Sequence, residues 1–214
     1  MSRALLLAAL LAAAAVFASL AFAAPAPFVG TVSPVSAASL GASYRAGCPV
    51  GPAQLRLLHV SYVGYDGASH VGGIVVNETV VRDVLTVFKT LYAERFPIRK
   101  MEPIAAFHGS DGASMAADNT SGFNCRYAVT TGPKAWSAHA YGEAIDVNPV
   151  ENPYYEAGHW LPPAGAAYSD RSRFRPGMAV PNGQLNRAFA SVGWLWGGRW
   201  TGSPDYQHFS KTGG

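Results

Sequence analysis

The sequence predicts an α+β fold in which an antiparallel sheet is flanked by helices. Residues 55–65 and 70–77 are β-prone runs separated by the turn-forming stretch 66–69, a pattern typical of a hairpin. Residues 78–96 then carry apolar side chains three and four positions apart, as an amphipathic helix does. Strand and helix signals follow one another without a regular strand–helix–strand order, which favours this class over a parallel α/β sheet.

The later segments continue the mixed pattern. Pro97 ends the predicted helix, a short strand is expected at residues 98–104, and residues 108–122, rich in Gly, Ser, Asp and Asn, predict a loop. A long loop is expected at residues 148–181 and a short helix at residues 185–192. A tail rich in Trp and Gly closes the chain, and its tryptophans are expected to belong mainly to the core.

Composition indicates a globular protein, and the first residues of the chain indicate export. Of its 214 residues 49% are hydrophobic, and the formal net charge is only +3 with the basic residues scattered, which argues against a nucleic-acid partner. Residues 1–23 have the pattern of a signal peptide, with Arg3 before an apolar run and small side chains at Ala21 and Ala23. The alternative is an uncleaved membrane anchor, because the run is near the length that spans a bilayer. Membrane contact is expected only through this leader, if it is not cleaved.

The two cysteines predict one disulfide. Residues 24–49 are rich in Ala, Ser, Gly and Pro and are expected to form a linker before a domain at residues 50–214. Cys48 and Cys125 form an even pair, which in an oxidising compartment is best explained as one bond. Two separate buried thiols are the alternative. Neither cysteine has the CxxC spacing that would suggest a role in zinc binding.

Three other residues have the chemistry of a zinc site. His139 and Asp146 flank Gly142, which lets the chain turn, so that a histidine and a carboxylate on the returning strand can face one space. His208 follows in a second β-prone stretch. Two imidazoles and one carboxylate suit zinc and leave a fourth position for water. Asp205, three residues before His208, is available as the general base that takes a proton from this zinc-bound water and passes it to the leaving amine.

The chain resembles the zinc-dependent D-Ala-D-Ala carboxypeptidase family, which includes L-alanyl-D-glutamate peptidases of bacteria and phages. The resemblance lies in the motif SxHxxGxAxD at residues 137–146 and in the downstream DxxH at residues 205–208, and it extends over about residues 109–209. It implies a Hedgehog/DD-peptidase-like zinc domain at residues 50–214. The implied cofactor is Zn²⁺, the implied substrate is the stem peptide of peptidoglycan, and the implied place of action is outside the cell or at its wall.

The resemblance also implies roles for single residues. His139, Asp146 and His208 match the zinc ligands of the family, and Asp205 matches the catalytic carboxylate, which many members supply as Glu. Arg126 matches an arginine that contacts the substrate carbonyl and stabilises the oxyanion.

Two further positions bear on substrate binding. Ser137 is placed with the substrate-binding residues, with a role in the turn or in support of the ligands as the alternative. Gln207 stands where many relatives have Trp, a departure that concerns the substrate pocket. Glu143, inside the motif, is expected to be solvated and not catalytic.

Two questions stay open at the level of sequence. One is whether such an enzyme removes a terminal D-Ala or cuts the bond between L-Ala and D-Glu. The other is whether the protein is a catalytically silent zinc-containing binding module, as Hedgehog signalling domains are. Asp205 and Arg126 favour the enzyme, because a purely structural zinc site needs neither of them.

Overall fold

The computed structural model describes residues 26–129 and 133–213. The predicted signal peptide lies outside these residues, and among the described helices none has the length and apolar character needed to span a membrane. The elements are β1 (Gly30–Pro34), α1 (Ala37–Leu40), β2 (Leu55–Val63), β3 (Ser69–Asn77), α2 (Val81–Ala93), β4 (Lys100–Met101), α3 (Asp111–Ala116), β5 (Asn119–Thr120), β6 (Ala144–Asp146), β7 (Tyr154–Glu156), β8 (His159–Leu161), α4 (Gln184–Ala190), β9 (Leu195–Trp196) and β10 (His208–Ser210).

The predicted hairpin is confirmed as β2 and β3, which pair antiparallel over their full lengths. Its inner face is formed by buried aliphatic side chains, and α2 covers that face with buried residues of its own. The predicted helix is also confirmed, although it starts later than expected. Asn77 accepts a hydrogen bond from the Thr79 amide, and a 3₁₀ turn, Glu78–Val80, precedes the first α-helical residue.

The segment predicted as a linker is structured from residue 30 onward. β1 pairs antiparallel with residues 56–60 of β2 and completes a three-stranded sheet in the order β1-β2-β3. Leu40 and Val50 are buried in a second, smaller core with Phe123. The composition was misleading here, because an edge strand with mostly exposed side chains has little apolar signal.

A second three-stranded antiparallel sheet, in the order β6-β10-β9, carries the region of interest. One face of it is apolar: Ile145 and Phe209 are fully buried, and Phe209 stacks on Phe189 of α4 with ring centroids 4.2 Å apart. The predicted helix at residues 185–192 is therefore confirmed as α4. It covers the side of this sheet that faces the main core.

The fold is α+β, as predicted, but it is built from small sheets and not from one antiparallel sheet. Two further pairs of strands complete it among the described residues: β4 with β5, which is parallel, and β7 with β8. The stretch at residues 108–122 contains α3 and β5, and the stretch at residues 148–181 contains β7, β8 and the 3₁₀ turn Pro163–Tyr168. Predicting both stretches as loops was wrong, because these elements are too short to produce a periodic pattern.

The stretch at residues 148–181 is held together by a largely buried arginine. The guanidinium of Arg171 donates to the backbone carbonyls of Glu151, Tyr168 and Ala179 and to Oδ1 of Asn152. These bonds satisfy backbone groups that would otherwise be buried without partners.

Candidate metal centre

The three predicted ligands lie on three neighbouring elements. Asp146 ends β6 and His208 begins β10, and the antiparallel register places these two residues directly opposite each other. His139 belongs to the 3₁₀ turn Ala138–Tyr141, which precedes β6. Gly142 ends that turn with a φ of +70°, a conformation that glycine adopts without strain, and so returns the chain into the strand.

The ligand atoms converge on one point. His139 Nε2 lies 3.2 Å from Asp146 Oδ2 and 3.2 Å from His208 Nδ1, and His208 Nδ1 lies 3.3 Å from Asp146 Oδ1. Zinc ligands about 2.1 Å from the ion in tetrahedral geometry lie about 3.4 Å apart. Asp146 Oδ1 is buried and has no hydrogen-bond partner in the described part of the chain. Such an unsatisfied acceptor beside two imidazole nitrogens fits a bound cation.

Hydrogen bonds to His139 favour the tautomer that a metal needs. Its Nδ1 lies 2.7 Å from the carbonyl oxygen of Gly122, which can only accept, so Nδ1 carries the proton and Nε2 keeps a lone pair. Its backbone N–H donates to Oγ of Ser137. His208 is oriented by packing, since its ring lies 5.1 Å from that of Trp200 and its Nε2 is buried with no hydrogen-bond partner among the described residues.

The pKa shifts of His208 and Asp146 match a ligand set. Burial lowers the pKa of His208, which keeps its imidazole neutral at physiological pH. Burial alone would raise the pKa of Asp146, but the neighbouring imidazoles, with His139 first, bring this pKa below its ordinary value. One ionised carboxylate and neutral imidazole are the forms in which these side chains bind zinc.

Asp205 lies on the wall of a cavity of about 110 Å³ that the three ligands also line. Its side chain is buried, and Oδ1 has no hydrogen-bond partner among the described residues. Burial raises the pKa of Asp205 well above its ordinary value, the charge of Asp146 raises it further, and Arg126 lowers it. The structure places this carboxyl at the cavity, and the group of described residues that could hold a metal ion consists of His139, Asp146 and His208 without it.

Close packing by glycine fixes the position of Asp205. Its backbone N–H donates to the carbonyl of Gly197. A Cβ at Gly197 would lie 2.9 Å from the carbonyl oxygen of Asp205, closer than real Cβ contacts occur. Gly197, in the tail rich in Trp and Gly, is thus required by the close approach of two chain segments.

Arg126 also lines this cavity, next to the disulfide. Its Nε is 3.0 Å from Oδ2 of Asp111, and both side chains are about one-quarter exposed. Cys125, the residue before it, is joined to Cys48 with the two Cα atoms 5.8 Å apart. The structure thus contains the predicted disulfide, and Arg126 is fixed from the backbone side by it.

Some of the other predicted residues line the cavity, and others belong to the core. Ser137 lines the cavity and at the same time caps the turn that carries His139. Its position is therefore compatible both with substrate binding and with support of the turn. Gln207 also lines the cavity, with Nε2 3.5 Å from the sulfur of Met115. Trp194 and Trp196 belong to the core as expected, but Trp200 lines the cavity.

Sequence reasoning missed several residues of the cavity wall. Asp111 and Met115 on α3 were inside one predicted loop, and Tyr154 was inside the other. The acid Asp111 could have been suspected from its place in the polar stretch before Arg126. Nothing in the sequence pairs it with that arginine.

Residues 131–211 match the model of a family described as D-alanyl-D-alanine carboxypeptidase. This match confirms the resemblance drawn from the motif, for a segment that contains the three candidate ligands and Asp205. Arg126 and the disulfide lie before it. No curated protein and no solved structure matches the chain significantly. The matched segment is that of a peptidase family, and its buried His-Asp-His group could hold a metal ion.

Proposed function

We propose that this protein is a zinc-dependent peptidase that hydrolyses amide bonds next to D-amino acids in peptidoglycan. The observation that carries the proposal is the convergence of His139, Asp146 and His208 on one point of a cavity that also presents Asp205 and Arg126. The family match supports the substrate class. We also propose that the fold is that of a Hedgehog/DD-peptidase-like zinc domain.

Each residue of the site has a separate role in the proposed hydrolysis. His139, Asp146 and His208 would hold the zinc ion, which when bound supplies Lewis-acid chemistry and makes a water acidic near neutral pH. Asp205 takes the proton of the attacking water and delivers it to the leaving amine. Its raised pKa suits a group that must hold that proton between the two events. Arg126 donates to the oxygen of the scissile carbonyl as negative charge develops there.

We further propose that the protein acts outside the cell or at its wall. Support comes from the leader at residues 1–23 and from the disulfide, since disulfides persist in oxidising compartments. Cell fractionation with an epitope-tagged chain tests this: recovery of the protein in the cytoplasm with its leader intact would contradict it.

Metal analysis tests the ligand set. We expect one zinc ion per wild-type chain and strong loss of zinc in His139→Ala and His208→Ala. His59→Ala, a change on an exposed position of β2, is the matched control and should retain full zinc. Full occupancy in either ligand variant would remove the assignment.

Muropeptides test the substrate. Purified protein with zinc is incubated with muropeptides, and the products are measured by mass spectrometry. Loss of a terminal alanine indicates a carboxypeptidase, and release of the stem beyond L-Ala indicates an endopeptidase. Cleavage of an all-L peptide alone would overturn the wall assignment, and no cleavage of any peptide by zinc-loaded protein would favour the catalytically silent module.

A further inference from the structure

The cavity contains an ion pair of which the proposed reaction uses only the arginine. Asp111 and Arg126 both line it, with Oδ2 and Nε 3.0 Å apart. An arginine guanidinium is a planar fork with five N–H donors. The contact is an ion pair and not a hydrogen bond, since the buried Nε has no hydrogen-bond partner among the described residues. It leaves the Nη1 and Nη2 edge of the fork for other partners. Nη1 has a long contact, 3.5 Å, with the carbonyl oxygen of Tyr127.

Asp111 is itself held in place. It is the first residue of α3, whose N-terminal turn is closed by the Ser110 hydroxyl, which accepts from the Ala113 amide. Its Oδ1 accepts a hydrogen bond of 3.4 Å from Nδ2 of Asn124. The backbone N–H of Asn124 in turn donates to the carbonyl oxygen of His139. The carboxylate therefore belongs to the same rigid frame as the candidate ligands.

Arg126 needs such a partner, because its backbone is fixed but its side chain is long. The disulfide at Cys125 holds the chain before it, and the Ser137 amide donates to the Arg126 carbonyl. Neither contact restricts the side-chain torsions, and an arginine free to rotate loses considerable entropy when it is ordered. The ion pair with Asp111 pre-organises the guanidinium before a substrate binds.

We propose that Asp111 is a positioning residue that holds the guanidinium of Arg126 in the orientation that the reaction requires. The inference rests on the proposed function, in which Arg126 meets the oxygen of the scissile carbonyl. Asp111 touches neither the substrate nor the ligands in this role and acts only through Arg126. A misplacement of about 1 Å at such a group can cost on the order of 10²-fold in rate.

A double-mutant cycle tests this dependence. We expect Asp111→Asn to lower kcat by roughly 10- to 100-fold with KM nearly unchanged, and Arg126→Ala to lower it by roughly 10²- to 10³-fold. In the Arg126→Ala background, Asp111→Asn should have no further effect beyond about twofold. A second full loss in that background would overturn the inference, because Asp111 would then act independently of Arg126.

Asp170→Asn is the matched control. Asp170 forms an exposed ion pair with Arg173, Nε to Oδ2 3.2 Å, away from the cavity lining. This variant should keep wild-type kcat and KM. All variants should retain one zinc per chain and the thermal midpoint of the wild type to within a few degrees, since a folding defect would affect both.

Crystal structures give a readout that does not depend on activity. In zinc-loaded Asp111→Asn we expect the guanidinium of Arg126 to move by more than about 1 Å or to lose order, with His139, Asp146 and His208 unchanged. An unmoved guanidinium would overturn the inference. If the wild type cleaves no peptide, the proposed function fails, and the crystal structures still decide whether Asp111 places Arg126.

Discussion

At the scale of single residues, backbone atoms orient the candidate metal ligands. The carbonyl of Gly122 accepts from Nδ1 of His139, and the Ser137 hydroxyl accepts from the His139 amide. The motif predicts which side chains meet, because residue types and their spacing can be read directly from the sequence. It does not predict the partner of Nδ1, since Gly122 lies 17 residues away and offers only a backbone oxygen, which every residue has.

Replacing Asp205 by Asn should separate catalysis from metal binding. The amide cannot accept the proton of the attacking water, so we expect kcat to fall by roughly 10²-fold or more while zinc content stays near one per chain. Metal analysis and steady-state kinetics on the same preparation measure both quantities. Zinc loss together with activity would make Asp205 a ligand or a support for one.

Glu143→Gln is the matched control for that change. Glu143 lies inside the motif, only three residues before Asp146, but it does not line the cavity. Its loss should therefore leave both kcat and zinc content unchanged. A large loss of activity would contradict the expectation that this carboxylate is solvated.

At the scale of elements, the centre depends on one turn and one strand pair. The turn Ala138–Tyr141 is tied to the end of β3, because Asn77 N–H donates to the Gly142 carbonyl and Asn77 Nδ2 to the Tyr141 carbonyl. The sequence predicted the turn at Gly142 and the strand after it. It could not predict the contact with β3, which joins residues more than sixty positions apart.

Gly142→Ala should destabilise the protein and weaken zinc binding. At a φ of +70° a Cβ is strained, and it would lie 2.6 Å from the backbone nitrogen of Asn77. We expect a loss of roughly 1–3 kcal/mol in the free energy of unfolding and a higher dissociation constant for zinc, measured by denaturation and by competition with a chelator.

Gly193→Ala separates the effect of backbone strain from the effect of the close contact with Asn77. Gly193 has a φ of +79°, but a Cβ there would meet no atom within 4 Å. This variant should show the backbone strain alone, about 1 kcal/mol, with zinc affinity unchanged. An equal effect of both variants on stability and zinc would show that the contact with Asn77 plays no part.

A buried pair of acids, Asp118 just before β5 and Glu151 after β6, should make stability depend on pH. Burial, followed by interaction with Glu151, raises the pKa of Asp118 to about 7. Because the folded state holds a proton that the unfolded state releases near pH 4, this contribution is complete below that pH and is lost as the pH rises through 7. Between pH 5 and 8 we expect a loss of roughly 1–3 kcal/mol.

Asp118→Asn should flatten that dependence. Asn tolerates the φ of +54° found here and can still accept from the Val150 amide, as Oδ1 of Asp118 does. Denaturation midpoints at several pH values measure the slope. Asp170→Asn is the control, because the pKa of this exposed acid is lowered and it titrates below the window. An unchanged slope in Asp118→Asn would assign the pH dependence to other groups.

At the scale of the whole molecule, the long-range contacts could not be predicted from the sequence. The hairpin, α2, α4 and the meeting of the three candidate ligands were predictable, since each has a local pattern or a motif. β1 was not, because its pairing with β2 depends on backbone hydrogen bonds that leave its side chains exposed. The same holds for the ion pair of Asp111 and Arg126, which depends on the contact between α3 and a segment that is not its neighbour in sequence.

The disulfide is the covalent link between this long-range packing and the cavity. It joins residues 77 positions apart and connects the segment after β1 to the residue before Arg126. In the chain-entropy model a loop of this length stabilises the folded state by about 4.5 kcal/mol. The paired variant Cys48→Ser with Cys125→Ser should lose stability of that order in chemical denaturation under non-reducing conditions.

Because Arg126 follows Cys125 directly, we also expect kcat of this variant to fall while zinc content is preserved, since the candidate ligands lie on other elements. Treatment of the wild type with a reductant should reproduce both changes, and reductant should have no effect on the double variant. A variant with wild-type stability and kcat would show that the smaller core around Leu40 and Phe123 holds this segment without the covalent bond.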